Sequence, residues 1–490
     1  MNDSDNKVFS GDNGADEAFG IDLGTTESVV ACVRDGVPIA VPIDGGYAAP
    51  SVVNYAEKNA IVGRAAVSKD HQGSTVFSIK RFIGRDEKFC GRSPVEISAD
   101  ILFYLKKNAE KVVGRTVNSV VITVPAHFSD PQRMATRRAA SIAGLKVLRL
   151  INEPTAAAIA FGLNRGNNGV FAVYDFGGGT FDFSVLRLVD GIFQVLATGG
   201  DNYLGGDDVD NAILDHNLRL YGLAADQERV SGRLVAKSLK ECLGNAQEVT
   251  ENYCCENEIY KFRLTQDLLQ KVSADLIQGS LRIADQVLQD AHLDIRALDG
   301  VVLAGGMTKL RLVKDSVKEH FYGRFSGKIF DDVDPEKVVA FGAAIYADSI
   351  ARKSRKVLLI DVVPLTLGIE TLGGGVDRII YRNTPIPIFE RREYTTHVDN
   401  QVGVKFHIVQ GESPVAAECR SLTHFELAGI PPMPARMPRV IVEFSVDVNG
   451  ILSVKAWEQK TGLQQTVTMD PSSGLSMDDM TAMLQKTSSR

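Results

Sequence analysis

At 490 residues the chain has room for about three domain-sized units, and a hydrophobic content of 44% is ordinary for a globular protein. Lysine and arginine total 54 against 61 acidic residues, a formal charge of −7, which argues against a dominant nucleic-acid surface. The six cysteines (Cys32, Cys90, Cys242, Cys254, Cys255, Cys419) form no C-x-x-C pair, and no apolar run reaches the ~18 residues of a membrane helix. A reduced, non-metal, cytoplasmic chain that meets neither membrane nor nucleic acid is expected.

The first 18 residues are polar, acidic and glycine-rich, without the basic start and apolar centre of a signal peptide, so a disordered leader is expected there. From about 19 to 351 strand and helix patterns alternate. "SVVITVP" (119–125) reads as a buried strand and "DPQRMATRRAASIAGL" (130–145) as a helix closed by glycine. Such alternation predicts an α/β architecture with helices covering sheets.

A hairpin pattern occurs twice within this region. "FGIDLGTTESVVACV" (19–33) and "VYDFGGGTFDFSVLRL" (173–188) each place an apolar strand, an aspartate and a glycine turn before a second strand. Glycine lets backbone approach a ligand closely and turn several N–H groups toward it, which suits phosphate oxygens. Asp22 and Asp175 would repel phosphate directly, so a hard cation should stand between; Mg²⁺ accepts carboxylates, often through its waters. Alone, "GGG" reads as a structural turn. Paired with "DLGTT" it points to a nucleoside triphosphate with Mg²⁺. "VVLAGGMTKLRLVKDSVKEHF" (301–321) adds a strand, two glycines and an amphipathic helix able to graze a flat ligand. No G-x-x-x-x-G-K-[ST] and no G-x-G-x-x-G occurs, so neither a P-loop nor the usual dinucleotide fingerprint is present.

After 351 the texture changes. "ARKSRKVLLID" runs from a basic cluster into four apolar residues and an aspartate. "GVKFHIV", "RVIVEFSV" and "ILSVKAW" then alternate with period two, and Asn449-Gly450 predicts a type I′ hairpin turn. Residues 362–470 read as all-β, and the tail "SGLSMDDMTAMLQKTSSR" as the start of a helix.

The combination "GIDLGTTES", "INEPTAAAIAFG", "DFGGGTFDFSVL", "LGGDDVDN" and "AGGMTKLRLV" resembles the DnaK-type heat-shock chaperone family, and "DVVPLTLGIETLGGGVDRIIYRNTPIP" and "DVNGILSVKAWEQKTG" extend the likeness through the β-region. "AECRSLTHFELAGIPPMPA" is most similar to the HscA branch, the iron–sulfur biogenesis chaperones. The resemblance implies an actin/hexokinase-like two-lobed ATPase domain (19–352), a mobile interdomain linker (353–361), a β-sandwich that grips extended client segments (362–470) and the start of a helical lid (471–490). It implies ATP/ADP and Mg²⁺ as cofactors, an iron–sulfur scaffold protein as client, a J-domain co-chaperone as partner, and a monomer.

By the same resemblance, Asp22 and Asp175 hold the metal through water, and Gly24, Thr25, Thr26, Gly177, Gly178 and Gly179 cradle phosphate. Thr180 belongs to the second cradle, Lys80 in "FSIKRFIG" matches the catalytic lysine, and Glu153 and Asp182 match acids near the attacking water and metal. Gly305, Gly306 and Thr308 match the adenosine-side loop and Lys240 a base-side lysine. Ile369, Val404 and Phe406 match a peptide pocket, with Leu372 and His397 as the arch over it; read without the resemblance, Ile369, Val404 and Phe406 are equally core residues. The chain departs from the family pattern at Lys237, where an acid is usual, at Gly244, where a serine is usual, and at Met307 in "GGMT". A general DnaK-like protein-folding chaperone, a small-molecule kinase of the same fold and an actin-like filament are the alternatives; the kinase needs neither the β-region nor "VLLID".

Overall fold

The computed structural model describes residues 17–43, 45–67, 74–165, 168–223, 229–255, 258–323, 325, 327–353 and 357–468. Most of the expected leader, and all of the expected lid start at 471–490, lie outside the described residues.

The repeated hairpins organise two sheets. In the first, Ala18–Asp22 pairs antiparallel with Glu27–Arg34, which pairs antiparallel with Val37–Ala40. On the other side of Ala18–Asp22 lie the parallel strands Ser119–Val124 and Lys146–Asn152. In the second sheet Gly169–Phe176, Phe181–Val189 and Ile192–Asp201 form the antiparallel portion, and Gly300–Ala304 and Lys328–Phe330 the parallel portion. The strand order is the same in both, so the repeat read from sequence is a repeat of topology. The inner parallel strands Ser119–Val124 and Gly300–Ala304 are nearly continuous runs of buried residues, as strands covered on both faces must be.

The covering helices carry their own start and stop signals. Pro94–Val113 opens with a Ser93–Glu96 capping box and proline in its first turn, and closes on Gly114 at φ 70. The predicted helix at 130–145 is observed as Asp130–Ile142, closed by Ala143 with Gly144 at φ 72. Val338–Ala351 packs against Glu153–Arg165 so closely that a Cβ on Gly342 would lie 1.7 Å from the Ala156 carbonyl oxygen. This contact joins the two halves beneath the cleft.

Beyond residue 362 two four-stranded sheets face one another. One runs Val376–Ile380, Leu367–Glu370, Gly403–Gln410, Arg420–Ala428; the other Ile388–Tyr394, Val440–Val446, Leu452–Glu458, Gln464–Thr468. Burial alternates strictly along Val440–Val446 and Leu452–Glu458, and their inward residues share one core with Phe406 and Ile408. The fold is thus a two-lobed α/β unit followed by a β-sandwich.

The Asn449-Gly450 hairpin is present, but its turn is not type I′. Gly450 alone has positive φ (75), the Gly450 N–H bonds to the Asp447 carbonyl, and Asp447 bonds across to Ile451. This is a three-residue loop with glycine in the left-handed position. The difference has a tertiary cause. Asn449 Oδ1 accepts the Leu150 N–H (3.1 Å) and the Asn449 carbonyl accepts from Arg133, so the turn is shaped against the α/β unit.

"VLLID" forms the strand Leu358–Val362. It adds parallel to Ile192–Asp201 at the edge of the second sheet and antiparallel to Pro385–Ile386 at its far end.

Candidate nucleotide site and the docked β-sandwich

A cleft of about 850 Å³ opens between the two sheets. Its floor comes from the two hairpins. Asp22 ends the first strand of one; Asp175 stands opposite Asp182 in the other. The turns meet across the cleft: a Cβ on Gly178 would lie 2.4 Å from Thr26 Oγ1, and one on Gly179 2.4 Å from Thr25 Cγ2. Glycine is required there because the second turn is pressed against threonines of the first.

Asp22, Gly24, Thr25, Thr26, Lys80, Glu153, Asp175, Gly177, Gly178, Thr180, Lys240, Gly305 and Gly306 all line the cleft. Gly179, Asp182 and Thr308 stand outside its lining. Thr308 donates from Oγ1 to the Gly305 carbonyl (2.7 Å), bracing the loop in which Gly305 has φ 80. Asp182 accepts the His127 N–H at 3.1 Å.

The electrostatics of the floor are severe. Glu153, Asp175 and Asp182 are buried and Asp22 is partly buried around the Lys80 ammonium, which donates to Glu153. Burial pushes Glu153 up to about 7 and Asp182 up to about 8, and pushes Asp22 up against the pull of Lys80. Asp175 is raised well above the ordinary carboxyl range, by burial and then by Glu153, Asp182 and Asp22. Burial opposes charge on Lys80, but Glu153, Asp22 and Asp175 outweigh it and raise its pKa. Four carboxylates against one cation call for further positive charge. Among the described residues no three acidic, histidine or cysteine side chains are placed to hold an ion directly. Hard oxygen donors without a closed shell fit a hydrated Mg²⁺.

At the other end of the cleft Lys240 is paired with Asp210 (2.6 Å) and donates to the Gly206 carbonyl (3.1 Å). Sequence reasoning left Asp210 unassigned, although it lies in the quoted "LGGDDVDN". The departures Lys237 and Gly244 also line this end; Lys237 sits 3.8 Å from Glu241, one helical turn on.

The Hsp70 protein family model matches residues 18–92 and 86–490. The chain belongs to the Hsp70 family. The chaperone protein HscA homolog of Acidovorax ebreus (strain TPSY) is 43% identical over 504 residues, covering 96% of this chain and 80% of that relative. The HscA homologs of Vibrio campbellii (strain ATCC BAA-1116) and Burkholderia thailandensis are 42% identical over 501 residues and 43% over 504, with the same coverage. As an Hsp70 the chain is an ATP-dependent chaperone and an ATPase.

The β-sandwich of this Hsp70 lies against the ATPase lobes. Asp361, 6% exposed, accepts from Asn152 Nδ2 at 2.8 and 2.9 Å, and Arg133 donates to Asn152 Oδ1 at 2.6 Å. The Leu452 N–H donates to Asp130 (2.6 Å), Arg382 to Asp290 (2.7 Å), and the Thr198 N–H to Asn383 (3.2 Å). Of the expected peptide-contacting residues, Ile369 and Phe406 are buried in the sandwich core and Val404 is half-buried against it. Leu372 is 86% exposed; His397 is also exposed, its N–H bonded to Gln401 Oε1 (2.9 Å). No helix among the described residues is long and apolar enough to cross a membrane.

Proposed function

We propose that residues 19–352 bind and hydrolyse Mg²⁺–ATP, that 353–361 act as a switchable linker, and that 362–470 hold extended segments of an iron–sulfur scaffold protein delivered with a J-domain co-chaperone. The observation that carries the catalytic reading is the set of four carboxylates around Lys80, beneath two glycine turns. Backbone N–H groups of Thr25, Thr26, Gly178 and Gly179 receive the phosphates, while those of Gly24 and Gly177 shape the two cradles by closing on Ser28 Oγ (3.2 Å) and the Thr180 carbonyl (3.0 Å). Lys80 brings positive charge to the terminal phosphate, and Glu153, held by Lys80, orients the attacking water together with Thr180 and Asp182. Asp22 and Asp175 hold the ion through water; Mg²⁺ when bound neutralises charge on the phosphate oxygens. Lys240, Gly305 and Gly306 border the nucleoside, with Thr308 bracing the loop.

The client reading rests on the HscA resemblance and on the sandwich. Main-chain pairing plus side-chain pockets suits an extended peptide. Leu372 and His397 are exposed to reach over it, and Ile369, Val404 and Phe406 form the apolar wall behind. The docked strand Leu358–Val362 supports a linker whose attachment couples the two sites.

ATP turnover is to be measured with a panel of peptides, one taken from an iron–sulfur scaffold, beside candidate sugars and carboxylates. Stimulation by peptides, greatest with the scaffold segment, is expected. Stimulation by a small molecule and by none of the peptides would overturn the reading in favour of a kinase.

A further inference from the structure

Lys80 lies on a single helical turn, Ile79–Phe82, preceded by Ser78 in the left-handed region at φ 54. A non-glycine residue rarely adopts that conformation unless its surroundings hold it. Here the surroundings belong to the opposite lobe. Ser78 Oγ donates to Asp207 (2.5 Å), and Asp207 is also held by Arg233 (3.1 Å). On the other side of Lys80, Arg81 spans the cleft with three bonds. Its Nε donates to the Gly179 carbonyl at 2.9 Å, its Nη1 to Asp208 Oδ1 at 3.0 Å, and its Nη2 to Asp208 Oδ2. A planar guanidinium on a carboxylate fixes direction as well as distance.

The far anchor is itself tied to the phosphate turn. Asp208 Oδ2 accepts the Gly205 N–H (2.8 Å) at the start of the helix Gly206–Tyr221. In the same turn the Asp207 N–H donates to the Gly178 carbonyl (2.7 Å) and the Gly206 N–H to the Gly177 carbonyl (3.1 Å). Ser78 therefore fastens to Asp207, which holds the glycine turn at Gly178, and Arg81 fastens both to the Gly179 carbonyl of that turn and to Asp208, the neighbour of Asp207. Lys80 itself points to Glu153, away from this clamp.

We propose that Arg81 and Asp208 are positioning residues for ATP hydrolysis: their cross-cleft pair places Lys80 against the phosphate turn only when the lobes are closed. The inference rests on the reading of Lys80 given above. Arg81 stands outside the lining of the cleft. It acts by setting the register between the turn that carries Lys80 and the turn that carries Gly177–Gly179. A displacement of about 1 Å in such a register costs about a hundredfold in rate.

The test compares Arg81→Ala, Asp208→Asn, the double variant, Arg81→Lys and Lys80→Ala in the full chain, reading single-turnover hydrolysis and ATP affinity separately. Arg81→Ala and Asp208→Asn should each lower the hydrolysis rate by tenfold or more, up to about a hundredfold, with ATP affinity kept within about threefold. The double variant should be little worse than either single, because both break one pair. Arg81→Lys, which keeps the charge but not the fork, should recover only a fraction of the rate. A wild-type rate in Arg81→Ala or Asp208→Asn, with Lys80→Ala inactive, would overturn this inference and leave the role of Lys80 standing. Loss of affinity in step with rate would also overturn it, since that marks a structural or binding role. A wild-type rate in Lys80→Ala would remove both.

Discussion

Asp361→Ala should release the linker strand from the ATPase lobes. The Asp361 carboxylate is buried and accepts both from Asn152 Nδ2 (2.8 and 2.9 Å) and from the Val362 N–H (2.8 Å). Of these Asp361 hydrogen bonds, the pair with Asn152 crosses from the linker to the first lobe. A hydrogen bond to a charged group contributes about 1.5–3 kcal/mol, and leaving a buried amide unpaired costs about 1–3 kcal/mol. Taking about 2 kcal/mol as the loss shifts docking about thirtyfold, at 1.4 kcal/mol per factor of ten. Amide hydrogen exchange with ATP present reads this directly at Leu359 and Ile360, which pair with Phe193 and Gln194. Faster exchange there, with the strands of the first lobe unchanged, is expected. Asn152→Ala should give a similar shift, and the double variant little more. Unchanged exchange at 358–362 in Asp361→Ala would refute the reasoning.

Docking should also depend on pH through Asp130. Burial in the docked state pushes Asp130 up to about 7, against the Leu452 N–H and Arg133 and with Asp447. Freed from the sandwich it should return toward the ordinary carboxyl value of about 3.9. The docked state then binds more protons between these values, so docking weakens as pH rises, by up to about tenfold per unit, and levels off above about 7. Asp130→Asn keeps an acceptor for Leu452 and should flatten the profile; an unchanged slope in that variant would exclude Asp130 as its source. In the sandwich, Phe406→Ala should destabilise by about 3–5 kcal/mol, since this ring is 3% exposed and stacks on Phe425 at 5.2 Å. Leu372→Ala should leave the melting temperature within a degree or two while weakening peptide binding, because a residue on the surface has little packing to lose. Loss of stability in Leu372→Ala without loss of peptide binding would remove Leu372 from the arch.

The features legible in the sequence were those written locally. Each hairpin declares itself by an aspartate and glycines between two apolar runs, and repeating it announced two lobes before any topology was known. The helix end at Gly144 likewise lies within a few residues of what it closes. Long-range pairings left no such mark. Asp210 finds Lys240 30 residues away, and Arg81 finds Asp208 across the cleft, |i−j| 127. Each reads along the chain as one more charged residue. The turn at Asn449-Gly450 shows the same limit from the other direction. The dipeptide permits two positive φ values, but contact with Leu150 and Arg133 selects a loop with only one. In the sandwich, Ile369 and Phe406 read equally as core or as pocket, and the structure buries both in the core, a distinction that depends on the facing sheet rather than on the local pattern.

The most direct test of the catalytic account is Lys80→Ala, followed through one turnover with nucleotide binding measured beside it. Removing the ammonium that faces Asp22, Glu153 and Asp175 should leave ATP bound in the presence of Mg²⁺ and slow hydrolysis by about a hundredfold or more. Hydrolysis at the wild-type rate, with ATP still held in the cleft, would contradict the placement of chemistry at these residues.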